Sequence, residues 1–289
     1  MKDYAIIVLG HTRPEHLQFV LEGLSRQGAL ADSQVWLDGH HGLQELLRQV
    51  EACQALENSY SAAQWFKFRS RRGLVKLFLD AFALNSPRHQ RFVILEDDCF
   101  PTVGAIETMI SSLKAVENDP EIFSVYGHHY GTANEGLETT AFQGWGWAST
   151  REKLAPVVDE LRELWDMPEL EAFAKFERDL TPEICARMDL FPGRANSKFL
   201  GQLFSFDTVL AFLVAKHGLR NRRTPSQVIF NFGIAYGAGH FPSFKEALLE
   251  PPFNMLTKEM LVDRFGLQGL PDEKELLRRG RAWAETNRH

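Results

Sequence analysis

Through the first 118 residues, short apolar runs alternate with amphipathic stretches. Ala5-Ile-Ile-Val-Leu9 and Phe92-Val-Ile-Leu95 are continuous runs without polar interruption. Such runs suit strands buried on both faces, as in a parallel sheet. The first, from Tyr4 to Gly10, is followed by Leu17, Val20, Leu21 and Leu24 at helical spacing. That spacing predicts a helix from Pro14 to Gln27, with Thr12-Arg13-Pro14-Glu15 in the form of a capping box. Val35-Trp36-Leu37 reads as a second strand ending in Asp38-Gly39, and a helix is expected from about Leu43 to Leu56. Trp65 to Phe68 reads as a third strand, and Arg69 to Gly73 as a basic turn into a helix from Leu74 to Leu84. The strand Arg91–Leu95 comes next, then a helix from Val103 to Val116. Strands alternating with helices predict an α/β fold with a parallel, doubly wound sheet.

Beyond Asp119-Pro120 the alternation weakens. Strands are expected at Ile122–Tyr126, Thr139–Phe142 and Gln227–Phe232, and helices at Thr150–Glu163, Glu169–Arg178, Thr181–Met188 and Phe204–His217. Gly144-Trp-Gly-Trp-Ala148 reads as a loop, and Gly233 to His240 as a glycine-rich turn. There is no internal repeat and no linker that clearly divides two domains. The expectation is one catalytic domain over 1–241, with halves at 1–118 and 119–241, and a helical extension over 242–289.

Composition narrows the classes. A net charge of −6 gives no electrostatic case for nucleic acid as a partner. Three cysteines, Cys53, Cys99 and Cys185, lie far apart in odd number, without metal-ligand spacing or a disulfide framework, which fits a reducing cytoplasm. Met1 to Tyr4 run directly into a strand pattern without the regions of a signal peptide, and no apolar run is long enough to span a bilayer. A cytoplasmic protein, at most peripheral to a membrane, is expected.

The chemistry concentrates at Glu96-Asp97-Asp98, three carboxylates at the carboxyl end of a buried strand. Ligands of open α/β sheets bind beyond these strand ends. Adjacent acids repel one another, a cost that a hard divalent cation with phosphate oxygens can offset. A metal–diphosphate site is the functional reading; an acidic turn is the bland one.

With Asp38 and Glu96-Asp97-Asp98 at the ends of successive strands, the chain resembles a nucleotide-sugar-dependent glycosyltransferase of the GT-A fold. Glu96-Asp97-Asp98 is similar to that family's metal-binding acidic motif, in the form carried by Golgi N-acetylglucosaminyltransferases that act on mannose. Gly144-Trp-Gly-Trp-Ala148 is similar to the W-G-W-A-T-W loop of bacterial members, although Ser149-Thr150 lacks the final tryptophan. Ser205-Phe206-Asp207, Asn231-Phe232-Gly233 and Gly239-His240 resemble the same group's ending. The resemblance covers roughly residues 4 to 241. It implies a Rossmann-like, mostly parallel sheet with flanking helices and a carboxy-terminal acceptor-side portion.

It also implies roles. Asp98 would hold Mn²⁺ or Mg²⁺ with His240, Asp97 would reach the sugar or ribose, and Glu96 would brace the turn. Asp38 would accept hydrogen bonds from base or ribose, with a turn aspartate as the alternative. Arg13 would neutralise or stack on the nucleotide, with an exposed first-turn arginine as the alternative, and Arg72, in a cluster with Arg69, Arg71 and Lys76, would meet the diphosphate, with a solvated basic face as the alternative. Gly144 and Gly146 would let backbone amides approach the donor. Trp145 and Trp147 are candidates for sugar stacking, with at least one of them expected in the core. Asp207, early in a late helix, would be the catalytic base of an inverting transfer, with Asp166 and Asp189 as weaker alternatives. His128-His129, expected on opposite faces of a strand, read as structural or acceptor-side.

The implied partners are a nucleotide-sugar donor, UDP favoured, and a glycan, glycolipid or protein-glycan acceptor. The basic carboxy-terminal helix around Lys274 to Arg281 reads first as a surface helix and second as a weak peripheral contact with an anionic membrane. Two rivals stand beside transfer of a sugar. One is nucleotidyl or phosphoryl transfer on Mg²⁺, against which the absence of a Walker-type phosphate loop counts. The other is a nucleotide-sugar-binding or degenerate chain without turnover.

Overall fold

In the computed structural model the described residues are 2–40, 42, 44–129, 138–188 and 206–231. The first half follows the expected alternation: β1 (Tyr4–Gly10), α1 (Pro14–Arg26), β2 (Ser33–Leu37), α2 (Gln44–Ala55), β3 (Gln64–Lys67), α3 (Leu74–Asn85), β4 (Arg91–Glu96), β5 (Cys99–Pro101) and α4 (Ala105–Val116). The second half adds β6 (Ile122–Tyr126), β7 (Glu138–Thr139), β8 (Trp147–Thr150), α5 (Arg151–Asp166), α6 (Glu169–Asp179), α7 (Pro182–Met188), α8 (Phe206–Lys216), β9 (Arg220–Arg223) and β10 (Ile229–Asn231).

Eight strands form one mixed sheet in the order β3-β2-β1-β4-β8-β6-β9-β7, while β10 and β5 pair apart from it. The block β3-β2-β1-β4 is parallel throughout, as the apolar runs predict. β8 enters antiparallel between β4 and β6, β9 runs parallel to β6, and β7 closes the edge antiparallel to β9. The chain is therefore α/β with a mostly parallel sheet flanked by helices.

Alternation along the central strands sorts the helices into two layers. Ile6, Val8, Val93 and Leu95 pack with α1 and α4. Ala5, Ile7, Leu9, Phe92 and Ile94 pack with α3, α5 and α8 on the other face. Every one of these nine strand side chains is buried. The carboxyl ends of β1, β2 and β4 thus share one sheet edge, between the two helical layers.

Three expectations need correction. Arg13, rather than Thr12, is the N-cap of α1, with Pro14 in the first turn and no side-chain cap bond. A residue before proline is driven out of the helical region, so Arg13 cannot be the first helical residue and the capping box does not form. The Trp147 end of the expected loop is strand β8, buried on both faces. His128 and His129 follow β6, which ends at Tyr126, so strand alternation does not govern them. Among the described residues no helix is long and apolar enough to cross a membrane.

Candidate functional site

The acidic triplet divides between the two faces of the sheet. Glu96, last in β4, continues the side of Phe92 and Ile94, toward α8 and Asp207. Asp97 and Asp98 turn the other way, to α1. The Arg13 guanidinium bridges them, with Nη1 donating to Asp98 Oδ2 at 2.6 Å and Nη2 paired with Asp97 Oδ1. Asp97 Oδ2 also accepts the His11 backbone N–H at 3.1 Å. Both aspartates are buried. Neighbouring buried carboxyl groups repel one another when ionised, and the guanidinium between them offsets that cost. Burial works against the charge on Arg13, but Asp97, Asp98 and Glu96 hold its pKa above the ordinary arginine value. The same acids fail to offset burial at His16, whose pKa is lowered by desolvation and then by Arg13.

Among the described residues no cation pairs directly with Glu96 or Asp207, although the charge of Arg13 acts on Glu96. Glu96 Oε1 and Asp207 Oδ1 are sealed from solvent without a hydrogen-bond partner among the described residues. Burial, then the charges of Asp207 and Asp98, push the Glu96 carboxyl well above its usual range. Burial and then Asp98 push Asp207 up to about 6. Gly144 makes the seat for Asp207. A Cβ there would collide with Asp207 Oδ1, so only glycine lets the carboxyl lie against this loop.

Asp38, expected at the base or ribose, is turned inward. It is buried, with Oδ1 accepting the N–H groups of Gly39 at 2.9 Å and Arg72 at 2.6 Å, and Oδ2 that of Gly73 at 2.9 Å. Three of its roughly four acceptor positions are filled by backbone. It ties the β2 end to the turn before α3, where a Cβ on Gly39 would collide with the Ser70 backbone. Arg72, expected at the diphosphate, instead lies over the Phe68 ring at 4.5 Å and pairs with Asp80 at 3.1 Å. Arg71 is the exposed neighbour, 4.0 Å from Asp38.

Trp147 is fully buried against Phe78, Phe123 and Phe142, so it is the core member expected of the tryptophan pair and is withdrawn as a sugar-stacking candidate. Its loop neighbour Trp145 is half-buried, edge-on to His128 at 5.1 Å. Gly146 turns the chain between them with φ +70°. His128 Nδ1 donates to the Ile229 carbonyl at 3.3 Å, and burial lowers its pKa to about 3. His129 meets Thr224 Oγ1 at 3.2 Å, and burial and then Arg223 lower it to about 4. Both rings are neutral and structural, and they have separate partners.

Asp166, the last residue of α5, is exposed. His240 and Asp189 lie outside the described residues, as do the glycines of the 233–239 turn. Among the described residues no group of three or more His, Cys, Asp and Glu side chains is arranged around a metal position. The donor chemistry still suits one. Asp97 and Asp98 share a single guanidinium among the described residues, and their hard oxygen donors match Mg²⁺ or Mn²⁺.

Two contributors escaped the sequence reading. His11 supplies a backbone donor to Asp97, and its Nε2–H donates to the Gly39 carbonyl at 2.8 Å, joining the ends of β1 and β2. Its place directly after a buried strand was the available signal. Glu96, expected only to brace the turn, faces Asp207 because of its parity in β4.

No protein-family model matches this chain, and no curated protein matches it. Among solved structures it is similar to a cytidylyltransferase from Leptospira borgpetersenii, with 15% identity over 58% of this chain and 66% of that one, TM-score 0.37. It is similar to mannose-1-phosphate geranyltransferase from Thermus thermophilus, with 10% identity over 87% and 81%, TM-score 0.41. A third is a mannosyltransferase from Pyrobaculum calidifontis in complex with GDP-Man and Mn²⁺, with 16% identity over 55% and 46%, TM-score 0.38. The chain spans less than two thirds of the first and less than half of the third. At such identities and TM-scores, chemistry has to be read from this chain's own residues.

Proposed function

We propose that this chain is a metal-dependent glycosyltransferase that moves a sugar from a nucleotide diphosphate sugar, UDP favoured, to an acceptor hydroxyl with inversion. The observation that carries the reading is Asp207. Its carboxyl is seated on Gly144 beside the acid-bearing end of β4, with Oδ1 unpaired among the described residues and a pKa pushed up to about 6. That value is near what a general base at neutral pH needs.

Burial pushes the carboxyls of both Glu96 and Asp207 upward. In its ionised form Asp207 is able to accept a proton. As the acceptor oxygen attacks the anomeric carbon, its proton passes to the Asp207 carboxylate. The bond from that carbon to the diphosphate breaks, and its electron pair leaves with the diphosphate. Asp98, with Asp97 behind it, is the residue to hold Mn²⁺ or Mg²⁺, and His240 would complete that shell. Bound there, the metal would stabilise charge growing on the departing diphosphate. Trp145, half-buried on the same loop as Gly144, is the remaining candidate to pack on the sugar. The acceptor class, glycan, glycolipid or protein glycan, belongs to the proposal as well.

Incubating the chain with a panel of nucleotide sugars and Mn²⁺ tests the reading. Release of nucleoside diphosphate is expected. Release of pyrophosphate from a nucleoside triphosphate and a sugar phosphate would favour nucleotidyl transfer instead, and binding without release would indicate a degenerate chain.

A further inference from the structure

We propose that Arg13 is the resident counter-ion of the Asp97–Asp98 pair, and that it surrenders this place to a divalent cation and carries its guanidinium to the diphosphate. The inference rests on the reading of Asp98 as the metal ligand. Three observations support it. First, Arg13 Nη1 stands 2.6 Å from Asp98 Oδ2, so the guanidinium already fills an acceptor position of the carboxylate that a cation would use. The other oxygen, Oδ1, has the Cys99 thiol 3.6 Å away.

Second, the charge count is unbalanced. The two buried aspartates share one monovalent guanidinium among the described residues, and a dication balances them more fully. Third, only the side chain needs to move. The Arg13 backbone is fixed as the N-cap of α1 by Pro14 and by its carbonyl, which accepts the Leu17 N–H at 3.0 Å. The side chain keeps 23% of its surface in solvent, so it has an outward path at the sheet edge where phosphate oxygens would lie. A planar, permanently charged fork suits exchange between carboxylate and phosphate.

A permanent brace and an exchanging counter-ion differ in how metal affinity responds to Arg13. Mn²⁺ is titrated calorimetrically into the full chain without nucleotide, as wild type, Arg13→Met and Arg13→Lys. Arg13→Met is expected to bind Mn²⁺ more tightly than wild type by on the order of 5- to 150-fold, the usual range for coupling between two ligands of one protein. Arg13→Lys is expected between them, because one ammonium cannot bridge both acids. Adding UDP should narrow the gap, since the diphosphate draws Arg13 away in wild type.

Equal Mn²⁺ affinities across the three proteins would overturn the exchange and leave the metal reading intact. No Mn²⁺ binding to any of them, with or without UDP, would overturn both. Should Arg13→Met fail to fold, Arg13→Lys and a wild-type readout decide. The ¹⁵N guanidinium resonances of Arg13 should shift when Mg²⁺ and UDP are added, and unchanged resonances would overturn the exchange.

Discussion

Two pairs of acids share the end of β4 and live under opposite rules. Asp97 and Asp98 face α1 and are bridged by Arg13. Glu96 and Asp207 face each other's field on the α8 side, each with one sealed and unpaired oxygen among the described residues. On the paired side the guanidinium offsets the cost of burying two carboxyl groups. The unpaired side must trade protons to exist, and its groups are pushed upward. Glu96 keeps the parity of β4 while Asp97 and Asp98 lie in the turn beyond it, so the two pairs meet different surroundings.

The largest expected effect lies on the unpaired side. Asp207→Asn should lower turnover by on the order of 10²- to 10⁴-fold, mainly in the maximal rate. The melting temperature should hold or rise, because the variant removes a buried charge that lacks a partner. The opposite pattern, with normal turnover and a lower melting temperature, would reduce Asp207 to a helix-dipole residue. The base would then have to be sought at Asp166 or Asp189.

On the paired side the same kind of change should act on stability. Without metal, Arg13→Met leaves two buried carboxylates uncompensated and should cost about 3 to 5 kcal/mol in denaturant unfolding. Combining it with Asp97→Asn should restore part of that loss, since one of the repelling charges is gone. A double variant as unstable as the sum of the two single ones would show that the bridge does not act as a unit.

The smallest effect concerns pH. A carboxyl raised in the folded state binds more protons there than in the unfolded chain, so stability falls as pH rises through the interval. For Asp207 that interval runs from 3.8 to about 6. Wild type should lose stability over it, and Asp207→Asn should flatten that part of the profile. A rise in stability over the same interval, absent from the variant, would mean that a cation pairs with Asp207.

How much of this was legible in the sequence depended on where the signal lay. β1 and β4 announced themselves as unbroken apolar runs, and both match in position. β9, Arg-Asn-Arg-Arg, has no apolar residue at all and is a strand only because β6 and β7 pair with it. β8 was hidden by the glycine-tryptophan pattern that marks a loop. The acids of Glu96-Asp97-Asp98 at the end of a buried strand could be read. Their division could not, because Arg13 lies 85 residues from Asp98 and only the fold brings them together. Trp147 and Asp38 were offered to a ligand by their residue type, and tertiary packing took them for the core and the backbone.

Calorimetric titration of UDP into the wild-type chain, once with Mn²⁺ and once with EDTA, tests the central claim that the paired acids are a metal–diphosphate site. Mn²⁺ should raise the affinity for UDP by at least about tenfold, roughly 1.4 kcal/mol, and Asp98→Asn should abolish the gain. Equal UDP affinity with Mn²⁺ and with EDTA would contradict the account and leave Asp97 and Asp98 as a structural ion pair with Arg13.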